Sequence, residues 1–184
     1  MPNGRSNKKR KKNSDKWYLR SGNKNRIVLY GMDMLKWRLK GIAGSELVVL
    51  QDRLLVGLLK ASPWSSSAYG ELRGRMLRFD RKSFCSRTFV IRNIEGDSER
   101  GRIRLSLYGR RADILLDGRQ YNWEKTGSLN GGSLVRDEEG EVLRIRSDRF
   151  LGRSGSLQFE YNDPAVFLVG LYLTIQGKKW RAYR

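Results

Sequence analysis

Histidine is missing altogether from the 184 residues, and cysteine occurs once, as Cys85. The first absence removes the commonest general base, the usual metal ligand and every Ser-His or Cys-His nucleophile arrangement. The second excludes an internal disulfide and fits a reducing compartment. Long apolar runs are lacking too. The longest, Ala165 to Ile175, falls well short of the roughly 20 residues a membrane-spanning helix needs. The first residues are charged with no apolar stretch behind them, so neither a signal peptide nor an anchor is predicted, and the expected location is cytoplasmic, with peripheral attachment to a membrane or ribosome.

What remains offers little chemistry. Cys85 has Lys82 and Arg87 nearby, but a lone cysteine in a strand or turn reads first as a small packing residue. The run Asp137-Glu138-Glu139-Gly140-Glu141 lacks the alternating ligand spacing of a calcium loop and sits between two apolar stretches, so a hairpin turn is expected. Gly127, Gly131 and Gly132 have neither the lysine nor the following amphipathic helix of a phosphate-binding loop. The expectation is a protein without catalytic residues, metal or cofactor, and with no small-molecule substrate.

Acidic residues are scarce relative to basic ones: 19 against 38, a formal charge of +19. Such a field attracts nucleic acid, an anionic membrane or an acidic protein through the same Coulomb term. Residues 1–16 contribute Arg5, Lys8, Lys9, Arg10, Lys11, Lys12 and Lys16 against Asp15. Being polar and without periodicity, they read as a disordered basic tail. Candidate polyanion-binding residues are Lys8, Lys9, Arg10, Lys11 and Lys12 in the tail, Arg102 and Arg104 on one strand, and Arg144 and Arg146 on its repeat. Lys178, Lys179, Trp180 and Arg181 join them near the C-terminus, where aromatic and cationic side chains interleave. The four strand arginines are all expected outward, forming a basic stripe if their strands are neighbours.

Residues 17–184 read as a single domain. Short alternating runs punctuated by Gly, Ser, Asn and Asp predict many antiparallel strands. In 102–107, Ile103, Leu105 and Leu107 fall on one face and Arg102, Arg104 and Ser106 on the other. Asp117-Gly118 between apolar runs is a two-residue hairpin turn. A repeat is visible at an offset of 44: Phe79 over Trp123, Val90 over Leu134, Ile91 over Val135, Arg92 over Arg136 and Gly96 over Gly140. An offset of 86 adds a looser copy, with Trp37 over Trp123 and Val49 over Val135. Trp37 and Trp123 are therefore assigned to the core. Asp163-Pro164 caps a helix over about 164–176, stopped by Gly177 and the cations after it. That segment is apolar on every side, so it must be surrounded; its β-branched residues leave a buried strand as the competing reading. The fold class expected is mainly β, an antiparallel barrel or closed sandwich of repeated hairpins around one buried C-terminal helix.

Repeated hairpins threaded by such a helix resemble the tubby C-terminal-like superfamily, and within it the LURP-one-related proteins and the phospholipid scramblases. The pieces carrying the likeness are Phe79 to Gly96, Trp123 to Gly140, and Asp163-Pro164-Ala165-Val166-Phe167-Leu168-Val169-Gly170-Leu171-Tyr172-Leu173, roughly the C-terminal two-thirds of the chain. The resemblance implies a non-catalytic, lipid-associated or regulatory role with an anionic phospholipid surface as partner. The lysine-rich tail favours the alternative, an RNA- or ribosome-associated protein. An acidic protein is the third partner considered.

Overall fold

The computed structural model describes residues 35–40, 45–62, 67–83, 85–127, 132–148 and 152–182, with 178–182 described by backbone alone. The tail Lys8 to Lys12, the expected domain start at Trp17, and Trp64 lie outside the described residues. Twelve strands close into an antiparallel barrel. In chain order they are β1 (Leu35–Lys40), β2 (Glu46–Gln51), β3 (Leu54–Ala61), β4 (Ala68–Leu72), β5 (Arg75–Arg81) and β6 (Thr88–Asn93). They continue with β7 (Glu99–Leu105), β8 (Arg111–Leu116), β9 (Arg119–Lys125), β10 (Ser133–Arg136), β11 (Glu141–Ser147) and β12 (Ser154–Phe159). The helix α1 (Pro164–Ala182) follows. Each strand pairs with its sequence neighbour, and β12 returns to pair with β1.

Alternation decides which side of each strand is buried. On β7, Ile103 and Leu105 are buried while Arg102 and Arg104 are exposed. Leu107 departs from the expectation: it is 62% exposed, because β7 ends at Leu105 and the chain has turned before the next inward position. Asp117 and Gly118 take φ of 50° and 78°, the pair of left-handed residues a tight hairpin of this hand requires.

The helix fills the barrel. Ala165 to Leu173 are buried without exception. Leu168 lies against Gly70 on β4, while Gly170 lies against Leu143 and Ile145 on β11, nearly opposite in the ring. Tyr172 stacks on Phe79 with ring centroids 4.3 Å apart and meets the edge of Phe89. Asp163 accepts hydrogen bonds from the Ala165 and Val166 amides, the expected N-cap. The stop at Gly177 is not used: the helix runs on to Ala182. Gly177 has helical rather than left-handed backbone, so it does not act as the terminating residue, and a Cβ there would meet Trp123 and the Gly109 carbonyl at ordinary contact distances of 3.7 and 3.9 Å.

The repeat proves threefold. The units β12-β1-β2-β3, β4-β5-β6-β7 and β8-β9-β10-β11 correspond in strand order and pairing register. Trp37, Phe79 and Trp123 each face a small residue across the first pairing, namely Gly155, Ala68 and Ala112. Each unit carries its register shift at one place, after Val49, Ile91 and Val135. The first unit thus takes its leading strand from near the C-terminus.

Candidate functional site

The antiparallel order gives the barrel two mouths. The turns β2–β3, β4–β5, β6–β7, β8–β9 and β10–β11 lie at the mouth where α1 begins, and the remaining loops at the mouth where it ends. The two differ in charge. Around the first stand Asp52, Glu95, Asp97, Asp117, Asp137, Glu138 and Glu139 against Arg53 and Arg73, with Glu160 and Asp163 leading into the helix. Around the second, the described loops carry Lys82, Arg87, Arg110 and Arg153, with Asp148 as their acid. Acids at the amino end of α1 and cations at its carboxyl end both suit the helix dipole.

Ion pairing is uneven over the wall. Towards the first mouth Arg53, Arg75 and Arg119 form no ion pair among the described residues, but other arginines there and along the wall are engaged. Arg100 holds Asp117 with two contacts, and Arg92 meets Asp97 at 3.6 Å. Arg78 reaches Asp80 and Asp97, and Arg136 reaches Glu124. Arg102 binds Glu99 at 2.6 Å. Arg144 binds Glu141 through Nε at 2.7 Å, and that hydrogen bond holds the Glu141 carboxyl below the usual carboxylate range. By contrast, Arg87, Arg104, Arg110 and Arg111 form no ion pair among the described residues.

The four strand arginines are therefore not a stripe. β7 and β11 are four positions apart in the closed sheet, about 19 Å around the wall at 4.8 Å per strand. Arg102 and Arg144 are occupied by carboxylates. Arg104 and Arg146 instead occupy equivalent places near the second mouth, with Lys60 as the third member, opposite Asp113, Ser156 and Tyr69 respectively. Lys178, Lys179, Trp180 and Arg181 belong to the last turns of α1, at the same mouth, and their side chains lie outside the described residues.

Two clefts open at this mouth, at equivalent seams between units. One, of about 290 Å³, is lined by Arg87, Arg104, Ser106, Leu107, Arg111 and Asp113 with Leu105 and Ala112 at its floor. The other, of about 370 Å³, is lined among others by Ser45, Lys60, Ser62, Ser67, Tyr69 and Arg78. These volumes lie at the small end of ligand pockets and suit a compact charged group. Beside the first cleft, Leu107 and Tyr108 are 62% and 69% exposed. Sequence reasoning placed Leu107 in the core and did not single out Arg87, Arg111 or Tyr108 as site residues. The 44-residue offset sets Arg87 over Gly131 and Arg111 over Gly155, so the repeat by itself singles out neither arginine.

Among the described residues no group of His, Cys, Asp or Glu is placed to hold a metal ion, and Asp137 uses Oδ1 to accept the Glu139 and Gly140 amides within a plain turn. No described helix is long and apolar enough to cross a membrane. No family model, curated protein or solved structure matches the chain.

Proposed function

We propose that this protein is a non-catalytic module that docks on anionic phospholipid surfaces with the mouth at which α1 ends. The observation that carries the reading is the juxtaposition at that mouth of Arg87, Arg104, Arg110 and Arg111, without ion pairs among the described residues, with exposed Leu107 and Tyr108. A lipid interface rewards this combination, cations for the headgroups and a short apolar tip for the layer beneath. Each arginine near an anionic leaflet is worth about 1 kcal/mol, so four of them supply roughly a thousandfold in affinity. The basic residues of 1–16 add a second source of attraction, raising on-rate more than orientation. The architectural likeness to tubby-like and LURP-one-like barrels agrees with a binding role in the cytoplasm.

Docking by the outer wall, as in a transmembrane barrel, is disfavoured. Arg102 at mid-wall and Arg104, Asp113 and Arg146 nearer the second mouth are all exposed on the outer face, where such a barrel carries an apolar band. The test is co-sedimentation of the protein, recovered from lysate, with anionic and with neutral liposomes before and after RNase. Binding to anionic liposomes alone, resistant to RNase and lowered by Leu107→Ser with Tyr108→Ser, is the expected result. Sedimentation that is RNase-sensitive and blind to lipid charge overturns it in favour of RNA, with the tail threading between phosphates.

A further inference from the structure

The threefold repeat supplies an internal control for the cleft between β7 and β8. At all three seams the chain makes the same closing hydrogen bond: Ser62 amide to Ser67 carbonyl, Ser106 to Arg111, and Asp148 to Ser154. The seam on β3–β4 therefore places Ser45, Lys60 and Ser67 where the β7–β8 seam places Arg87, Arg104 and Arg111. The seam on β11–β12 places Arg146 and Ser154 at the last two of these positions. Serine suffices for the backbone at these sites, so the fold does not require arginine at 87 or 111. Among the described residues, only the β7–β8 seam gathers three guanidiniums; Asp113 stands opposite Arg104, and Glu124, opposite Arg111, is taken up by Arg136, which leaves Asp113 as the carboxylate set against the three.

The third seam shows what kind of group belongs there. Where Ser106 and Ser62 stand, it carries Asp148, whose carboxylate accepts a hydrogen bond from the Ser154 hydroxyl. That seam thus carries a carboxylate of its own, along with Arg146 on β11 and Arg153 in its loop. The β7–β8 seam has no carboxylate at that position.

We infer that the Arg87–Arg104–Arg111 cleft is a binding site for a phosphomonoester. Three guanidiniums against one carboxylate leave two positive charges, which a dianion neutralises and a phosphodiester or carboxylate monoanion does not. Arginine forks also match the three free oxygens of a monoester. Ser106 Oγ already accepts the Arg111 amide, leaving its hydroxyl proton to donate to a fourth contact. The inference deepens the membrane reading by assigning the headgroup class; the same chemistry is present in a soluble phosphomonoester.

The experiment compares binding to vesicles containing phosphatidic acid, a monoester headgroup, with vesicles containing phosphatidylglycerol, a diester, at matched surface charge. It uses the full chain, the double variant Arg87→Ser with Arg111→Ser, and the charge-matched control Arg53→Ser with Arg75→Ser at the opposite mouth. The double variant copies the β3–β4 seam and should fold. The expected result is a preference for phosphatidic acid of roughly tenfold to a hundredfold, the loss associated with charge-assisted hydrogen bonds. That preference is abolished in the double variant and kept in the control. Equal binding to the two lipids by the unmodified chain, or equal losses in variant and control, overturns the inference while leaving membrane docking intact. Should no anionic vesicle bind, the membrane reading fails, and glycerol 3-phosphate titrated against the arginine Nε–H NMR signals decides the cleft alone. Shifts present in the unmodified chain and absent from the double variant support the site, and unshifted signals overturn it.

Discussion

Gly155→Ala is the sharpest probe of how the barrel closes. Gly155 sits on β12 directly across from Trp37 on β1 and beside Ser147 on β11. A Cβ added there would stand 1.8 Å from the Arg146 carbonyl oxygen and 2.8 Å from Trp37 Nε1. These are the two ends of one hydrogen bond, Trp37 Nε1 donating to Arg146 O at 3.1 Å. Neither can move far, since one is backbone and the other belongs to a ring that is 1% exposed. Overpacking of this kind costs about 1–3 kcal/mol, and loss of the bond adds roughly 0.5–1.5 kcal/mol. The reduced freedom of the unfolded chain returns about 0.4–1 kcal/mol. The net is about 2–3 kcal/mol, or a fall in Tm of roughly 4–12 °C for a domain of this size. Gly96→Ala is the control, because a Cβ there meets nothing within 4 Å and should leave stability within about 0.5 kcal/mol. Thermal unfolding followed by near-ultraviolet circular dichroism reads both. A Gly155→Ala protein melting with the unmodified chain would refute the closure described here.

The two buried tryptophans offer a paired comparison. Trp123 Nε1 is buried and has no hydrogen-bond partner among the described residues, unlike Trp37 Nε1, so Trp37→Phe should cost about 1 kcal/mol more than Trp123→Phe in urea unfolding, the worth of one bond whose acceptor is left behind. The Glu141–Arg144 pair predicts an acid dependence. Because the folded Glu141 pKa is depressed by Arg144, its contribution is present above the ordinary glutamate value and is lost as pH falls through the folded one. Arg144→Gln should therefore lower stability at pH 7 and converge with the unmodified chain as the pH drops through and below about 4.5. Direct NMR titration of the Glu141 carboxyl checks this, and identical midpoints in the two proteins would contradict it.

The architecture was legible where local patterns carry it. Alternation on β7 and β8, the Asp117-Gly118 turn and the all-apolar stretch from Ala165 each speak through neighbouring residues, and the 44-residue offset spoke for the repeat. The helix end was misread because glycine followed by lysines is the pattern of a stop, whereas Gly177 keeps helical backbone and the helix continues to Ala182. The arginine stripe was conditional on neighbouring strands, and that condition is not met. Arg102 and Arg144 share a pattern, yet whether β7 and β11 touch is fixed by the closing order of the sheet, and whether an arginine is free depends on Glu99 and Glu141 three residues away. Arg87, Arg104 and Arg111 come from a loop and two strands, so only the folded chain brings them to one cleft.

The route by which the first unit acquires its leading strand bears on how the protein is made. Trp37 cannot find the Arg146 carbonyl until 109 further residues exist, and the inner faces of β1 to β11 have no filling until α1 follows β12. At about 5–20 residues per second, a ribosome leaves that apolar lining without its plug for roughly 7–30 s after Leu35 is joined. During synthesis the chain is thus an open, sticky ribbon whose fate is decided by its last segment, and a message cut short before Pro164 would yield material for proteases rather than a smaller version of the barrel.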